Sequence, residues 1–244
     1  MRPKFSIITV TYNASAVIGP TLASVAAQSY KNWEYLLIDG GSRDDTVAKA
    51  AASGIEFAHI VSERDNGLYD AMNKGIGLAT GDYLCFLNAG DAFHSPDTME
   101  RIAAAVGEGP LPDILYGETA EVDENRRFVR MRRLQAPEKL EWTSFKQGML
   151  VCHQAFYARR DIVPLYDLKY RLSADVDWCI KVMKRSQNIV NVGCTVVDYL
   201  QNGLSLQNHR ASLMERFGIM CKHYGVLSTL AHHLWFVLRA VIKR

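Results

Sequence analysis

Phe5-Ser-Ile-Ile-Thr-Val-Thr-Tyr-Asn13 is the stretch whose reading decides the fold. Its apolar and β-branched residues form a short run that stops abruptly at polar, turn-forming residues, as a buried strand does. The same pattern returns in Tyr35-Leu-Leu-Ile-Asp39 and in Tyr83-Leu-Cys-Phe-Leu-Asn-Ala-Gly-Asp91. Helical spacing lies between: Val17, Ile18, Leu22 and Val25 predict a helix over 14–28. Further helices are predicted over 45–52 and 69–79, and strands over 56–61 and 82–87. Such alternation predicts an α/β fold with a mostly parallel, Rossmann-like sheet flanked by helices. Ligands of open parallel sheets bind outside the carboxyl ends of the strands, so Thr11, Asp39 and Asp91 are expected to face one crevice. That arrangement suits a nucleotide.

The second half reads differently. A strand over 113–117 leads into a hairpin, 119–133, turning near Asp123-Glu-Asn-Arg126. Strands near 155–159 and 189–198 bracket a helix over 174–186. Residues 210–242 read as helical with a break near Gly225, a C-terminal appendage. The expected organisation is a catalytic unit, 1–208, with a nucleotide-binding half (1–107) and an acceptor half (108–208), followed by a helical appendage, 209–244.

Composition excludes several classes. With 244 residues, 48% of them hydrophobic, the chain can bury a substantial core. A net charge of +2 gives no drive towards nucleic acid. The five cysteines are scattered, with no Cys-x-x-Cys pair, and read as reduced cytoplasmic thiols. The chain enters a strand within five residues, leaving no room for a signal peptide, and no apolar stretch is long enough to span a bilayer.

Four segments together resemble the family 2 glycosyltransferases, whose fold is called GT-A. They are Ser6–Asn13, Leu37-Ile-Asp-Gly-Gly-Ser-Arg-Asp-Asp-Thr46, the run Glu63–Asp82 continuing into Leu87-Asn-Ala-Gly-Asp91, and Leu172-Ser-Ala-Asp-Val-Asp-Trp178. The third most resembles enzymes that build bacterial surface polysaccharides such as colanic acid. The resemblance implies a GT-A-like fold and an inverting transfer of a sugar from a nucleoside-diphosphate sugar, UDP preferred, to a glycan or lipid-linked acceptor.

It also implies roles. Asp39 would read the base with its carboxylate free in the crevice, beside Thr9, Thr11, Tyr12 and Asn13; the alternative is a carboxylate that caps the following turn or helix. Asp65, Asn66, Asp70, Asn73 and Lys74 would lie next to the nucleotide sugar; the alternative is a surface ion pair between Asp70 and Lys74. Asn88-Ala-Gly-Asp91 stands where the family carries Asp-x-Asp, leaving Asp91 as the carboxylate for Mn2+ or Mg2+, with His209 a possible further ligand. Asp175 matches the family's catalytic base and Asp177 its second acid, although acidic residues after a Ser173 cap would suit a helix start anyway. His153 and Gln154 would lie on the acceptor side or serve structure. The basic run Arg126, Arg127, Arg130, Arg132 and Arg133 is either a solvated face or an edge for a diphosphate-lipid acceptor. Residues 226–244 suit an amphipathic helix on the inner membrane face, or one packed on protein. A nucleotidyltransferase would need a Gly-rich phosphate loop that Thr9–Asn13 lacks. A non-catalytic sugar-nucleotide binder is the alternative from another class.

Overall fold

All seven residues of β1 (Phe5–Thr11) are buried, which a strand achieves only when covered on both faces and flanked on both edges. Its neighbours are β2 (Trp33–Asp39) and β4 (Tyr83–Phe86), both parallel to it, and β3 (His59–Ser62) extends the sheet beyond β2. The register places Thr11 beside Asp39 and Asp39 beside Ser62, so three polar side chains share one row at the carboxyl edge. The computed structural model describes residues 2–201 and 208–242, without the side chains of His209 and of 236–242.

Helices α1 (Ile18–Ala26), α2 (Thr46–Ala51) and α3 (Leu68–Leu78) occupy the expected crossovers. α1 starts later than the apolar spacing predicts, because Asn13 takes a left-handed conformation (φ 47°) and turns the chain first. Gly81 is more than a turn residue. A Cβ there would sit 2.7 Å from the Ser6 nitrogen and 2.8 Å from the Lys4 oxygen, so only glycine lets this loop lie against β1.

Beyond β4 the sheet becomes mixed. Its order is β3-β2-β1-β4-β8-β6-β9-β5, with β7 paired to β6. Here β8 (Phe156–Arg159) is antiparallel to both β4 and β6 (Ile114–Val122), while β9 (Ile189–Leu200) runs parallel to β6. The two-residue β5 (Ala92–Phe93) pairs with β9 and is too short to show in periodicity. β7 (Phe128–Met131) completes the predicted hairpin. α4 (Thr98–Ala104) and α5 (Ala174–Arg185) pack on this half, and Trp178 of α5 is buried in a stack with Tyr166, ring centroids 5.1 Å apart.

The expected appendage divides at Gly225 (φ 83°) into α6 (His209–Tyr224) and α7 (Val226–Ile242). α6 is bonded into the second half of the chain. Glu215 accepts the backbone N–H groups of Arg171 (2.9 Å), Leu172 (2.9 Å) and Ser173 (3.0 Å), capping the approach to α5. α7 leans on α6 and leaves Leu227, Leu230, Leu234 and Trp235 exposed. Among the described residues, no helix is long and apolar enough to cross a membrane. All five cysteines are free thiols.

Candidate active site

Two adjoining cavities open at the carboxyl edge of the parallel strands. The smaller pocket is walled by Tyr12, Gly40, Gly41, Arg43, Arg64, Asp65 and Gly67. The larger, counted by the residues that line it, runs past Asn88 and Asp91 to Asp175 and the arginines of the hairpin. Thr11, Tyr12 and Leu68 line both, so a single elongated ligand can pass from one to the other.

Asp39 does not stand free. Its carboxylate accepts hydrogen bonds from Thr11 Oγ1 (2.9 Å), Ser62 Oγ (2.7 Å), the N–H groups of Gly41 (3.1 Å) and Ser42 (2.8 Å), and the Ser42 hydroxyl. Burial raises its pKa, but these donors outweigh burial and leave it below the usual carboxylate range. The chain leaving β2 turns through Gly41 (φ 80°), and its N–H groups need an acceptor that the sheet no longer supplies. Asp39 thus shapes the pocket floor. Thr9 is also displaced from the expected site. It is fully buried and bonds the Leu87 carbonyl (2.6 Å) and the Tyr35 hydroxyl (2.9 Å), whereas Thr11, two residues on, reaches the cavity. Tyr12, 65% exposed, presents its ring to both cavities.

Of the five residues expected on and before α3, Asp65 alone lines a cavity. Lys74 bonds Asp65 (2.5 Å) and Glu63 (2.8 Å) instead of Asp70, because the loop folds back over the helix. Asp70 accepts the Asn66 N–H (2.9 Å) at the helix start. Asn73 clamps the Tyr166 backbone, donating to its carbonyl (3.1 Å) and accepting its N–H (2.7 Å). Asn66, Asp70, Asn73 and Lys74 are therefore supports for the loop, not cavity walls. The α3 residue missed from sequence is Tyr69, whose hydroxyl donates to Asp175 Oδ1 (3.2 Å). An apolar-looking ring at a helical position gave no sign of that contact.

Asp91 projects into the larger cavity from the loop between β4 and β5. Gln154 Nε2 (2.8 Å) and the Leu200 N–H (3.0 Å) donate to it. Burial pushes its pKa up to about 7, against those two bonds and the Arg126 charge. Nearby, the buried Asn88 Oδ1 has no hydrogen-bond partner. An orphaned amide oxygen and a carboxylate on one wall fit a hard divalent cation that takes its remaining ligands from phosphate and water. Among the described residues no group of three His, Cys, Asp or Glu gathers. The side chain of His209, the other expected ligand, lies outside the described residues.

Asp175 and Asp177 part company. Two residues on a helix differ by about 200° in direction, so they face opposite ways. Asp175 lines the cavity, with Tyr69 and the Val176 N–H (3.0 Å) on Oδ1 and no described residue bonded to Oδ2. Asp177 turns away into the α5–α6 interface, 1% exposed, paired with Lys181 (2.6 Å), Lys222 (2.9 Å) and His223 (2.7 Å). Burial raises its pKa, but His223 and the two lysines overcome that and hold it well below the usual range. It anchors α6 and touches no cavity. Ser173 precedes α5 without capping it; its hydroxyl meets that of Ser212 (3.0 Å), and Glu215 serves the neighbouring N–H groups.

His153 and Gln154 both line the larger cavity. Gln154 holds Asp91. His153 Nε2 lies 2.6 Å from the Tyr166 hydroxyl, and burial lowers its pKa to about 4, so the ring is neutral at pH 7. Of the basic run, Arg130, Arg132 and Arg133 line the cavity, joined across it by Arg216 of α6, which sequence reading did not single out.

Residues 6–163 match the family model described as glycosyl transferase family 2. A Mycobacterium bovis protein named PGL/p-HBAD biosynthesis glycosyltransferase is 38% identical over 185 residues, which cover 73% of this chain and 69% of that one. The amylovoran biosynthesis glycosyltransferase AmsB of Erwinia amylovora is 27% identical over 208 residues, covering 80% of this chain and 69% of AmsB. In fold, the chain resembles the crystal structure of S. aureus TarS 1-349 in complex with UDP-GlcNAc, with TM-score 0.69 at 17% identity, over 96% of this chain and 73% of that one.

Proposed function

The chain belongs to glycosyl transferase family 2, and from that premise we propose that it is an inverting glycosyltransferase. It moves a sugar from a nucleoside-diphosphate sugar, UDP preferred, to a hydroxyl of a glycan or lipid-linked acceptor in surface-polysaccharide synthesis. One observation carries the reading: Asp175 and the Asn88–Asp91 pair line one cavity, continuous with a second pocket that Tyr12, Arg43 and Asp65 line. The relative named for amylovoran synthesis supports the surface-polysaccharide assignment, and the TarS complexes with UDP and with UDP-GlcNAc support the choice of UDP.

The nucleoside occupies the smaller pocket with its base against the Tyr12 ring. Asp65 Oδ1 is taken by Lys74, while Oδ2 lies beside Gly40, 3.0 Å from where a Cβ would stand. That free oxygen can accept the imide N–H of uracil, and Arg43 and Arg64 add positive charge. Asn88 and Asp91 would hold Mn2+ or Mg2+, which supplies neutralising charge for the leaving diphosphate. Asp175, oriented by Tyr69, takes the proton from the acceptor hydroxyl as its oxygen attacks the anomeric carbon from the side opposite the diphosphate. Gln154 holds Asp91 in place.

We also assign α7 to the cytoplasmic membrane face. Leu227, Leu230 and Leu234 recur on one exposed stripe beside Trp235, and Arg239, Lys243 and Arg244 follow in sequence. Thermal unfolding with UDP, GDP, CDP or ADP, with and without Mn2+, tests the donor assignment. UDP with Mn2+ should raise the melting temperature most. No response to any nucleotide would refute the transferase reading of these cavities.

A further inference from the structure

We infer that the acceptor carries a phosphate on an apolar chain, and that Arg132, Arg133 and Arg216 hold that phosphate beside Asp175. The inference rests on the glycosyltransferase reading above and names the acceptor class that reading leaves open.

Charge in the larger cavity is unbalanced on one side. Four guanidinium groups line it, from Arg130, Arg132, Arg133 and Arg216, against the carboxylates of Asp91, Glu121 and Asp175. Glu121 is consumed by Arg130 at 2.7 Å. Asp91 and Asp175 accept hydrogen bonds only from the neutral groups of Gln154, Leu200, Tyr69 and Val176 among the described residues, so three guanidinium groups face two carboxylates. Among the described residues, the other three arginines have no carboxylate partner. Arg132 donates to the carbonyls of Leu134 (3.0 Å) and Leu150 (3.2 Å), which orient it without cancelling its charge. Arg216 reaches only the Ser173 hydroxyl, 3.4 Å from its Nε. Arg133 is exposed.

Position separates this cluster from the donor. The nucleoside pocket has its own cations, Arg43 and Arg64, and neither lines the larger cavity. Arg216 stands on the α5–α6 wall that also carries Asp175, the group that must meet the acceptor hydroxyl. All four cations are arginine. The planar guanidinium fork matches two phosphate oxygens at once, which a lysine cannot do.

The lips of the cavity are apolar next to these charges. Leu213, 48% exposed, lines the mouth beside Arg216. Leu134 and Met149 line the same side, and Phe128, 63% exposed, lies outside the lining on the face of β7 that carries Arg130. Phosphate-binding groups bordered by exposed apolar side chains suit an alkyl phosphate better than a free anion or a neutral sugar.

The test uses the full chain saturated with UDP and Mn2+, titrated calorimetrically with hexyl phosphate, inorganic phosphate and 1-hexanol. Hexyl phosphate should bind at least ten times more tightly than either of the others. Arg133→Gln and Arg216→Gln should each weaken it about tenfold, the scale of one charge-assisted hydrogen bond, while UDP affinity stays within about twofold of the parent. Intact UDP binding with hexyl phosphate affinity indifferent to both variants would overturn the acceptor assignment alone. So would equal affinity for inorganic phosphate, or a matching loss of UDP affinity, which would return the arginines to the donor. Absence of UDP binding by the parent protein would remove the glycosyltransferase reading and this one with it.

Discussion

Replacing Asp91 by asparagine should stabilise the metal-free protein while abolishing its response to divalent cations. Burial pushes the Asp91 carboxyl up to about 7, whereas an aspartate in an unfolded chain titrates near 3.9. The folded state therefore holds the proton more tightly. Stability from this group is fully present below about pH 4, falls as pH rises towards 7, and is level above it. Three pKa units correspond to roughly 4 kcal/mol. Asparagine removes the charge but sets an amide against Gln154 Nε2, which costs about 1 kcal/mol of hydrogen bonding. The net gain at pH 8 is then about 3 kcal/mol, a rise of roughly 5–10 °C in melting temperature for a chain of this size. Near pH 4.5 the difference should almost vanish. Thermal unfolding of parent and variant in chelator at both pH values is the assay. A variant that melts at or below the parent temperature at pH 8 would refute the claim that Asp91 is charged against its surroundings.

Three further outcomes follow from particular contacts. Tyr69→Phe should lower turnover about tenfold without changing UDP affinity, because the lost hydroxyl orients Asp175 and touches no nucleotide pocket; steady-state kinetics and calorimetry together check it. Asp177→Asn should destabilise the fold by about 3 kcal/mol at pH 7, having removed the buried anion that Lys181, Lys222 and His223 share. That loss should fade as pH falls below about 4, where the carboxylate of the unfolded parent chain takes up its proton while the folded one still resists it, and urea unfolding across pH would show it. Truncation after Gly225 should release the protein from anionic liposomes in a sedimentation assay while leaving UDP binding intact; full-length protein that never pellets would instead make α7 a packing helix.

The parallel half of the fold was legible because its strands are short apolar runs ending in polar residues, and Thr11 and Asp39 do lie at one edge. β5 escaped because two residues carry no period. At the site, residue type alone could not tell a carboxylate facing a ligand from one satisfying a turn. Asp39 ends β2 and Asp91 lies in the loop after β4, and one meets the N–H groups of a turn at Gly41 while the other faces a cavity. Asp175 and Asp177 were separable in principle from helical geometry, since positions two apart cannot share a face. Tyr69 and Arg216 were not, because their roles depend on α3 and α6 meeting α5, contacts remote in sequence.

The most direct measurement compares release of sugar from UDP-GlcNAc, with Mn2+ present, by the parent protein and by Asp175→Asn. A general base acts on the attacking hydroxyl, from acceptor or water, so the variant should bind UDP as the parent does. It should release sugar about a hundredfold more slowly. Equal rates in the two proteins, with UDP bound by both, would contradict Asp175 as the base and place the chemistry elsewhere in the cavity.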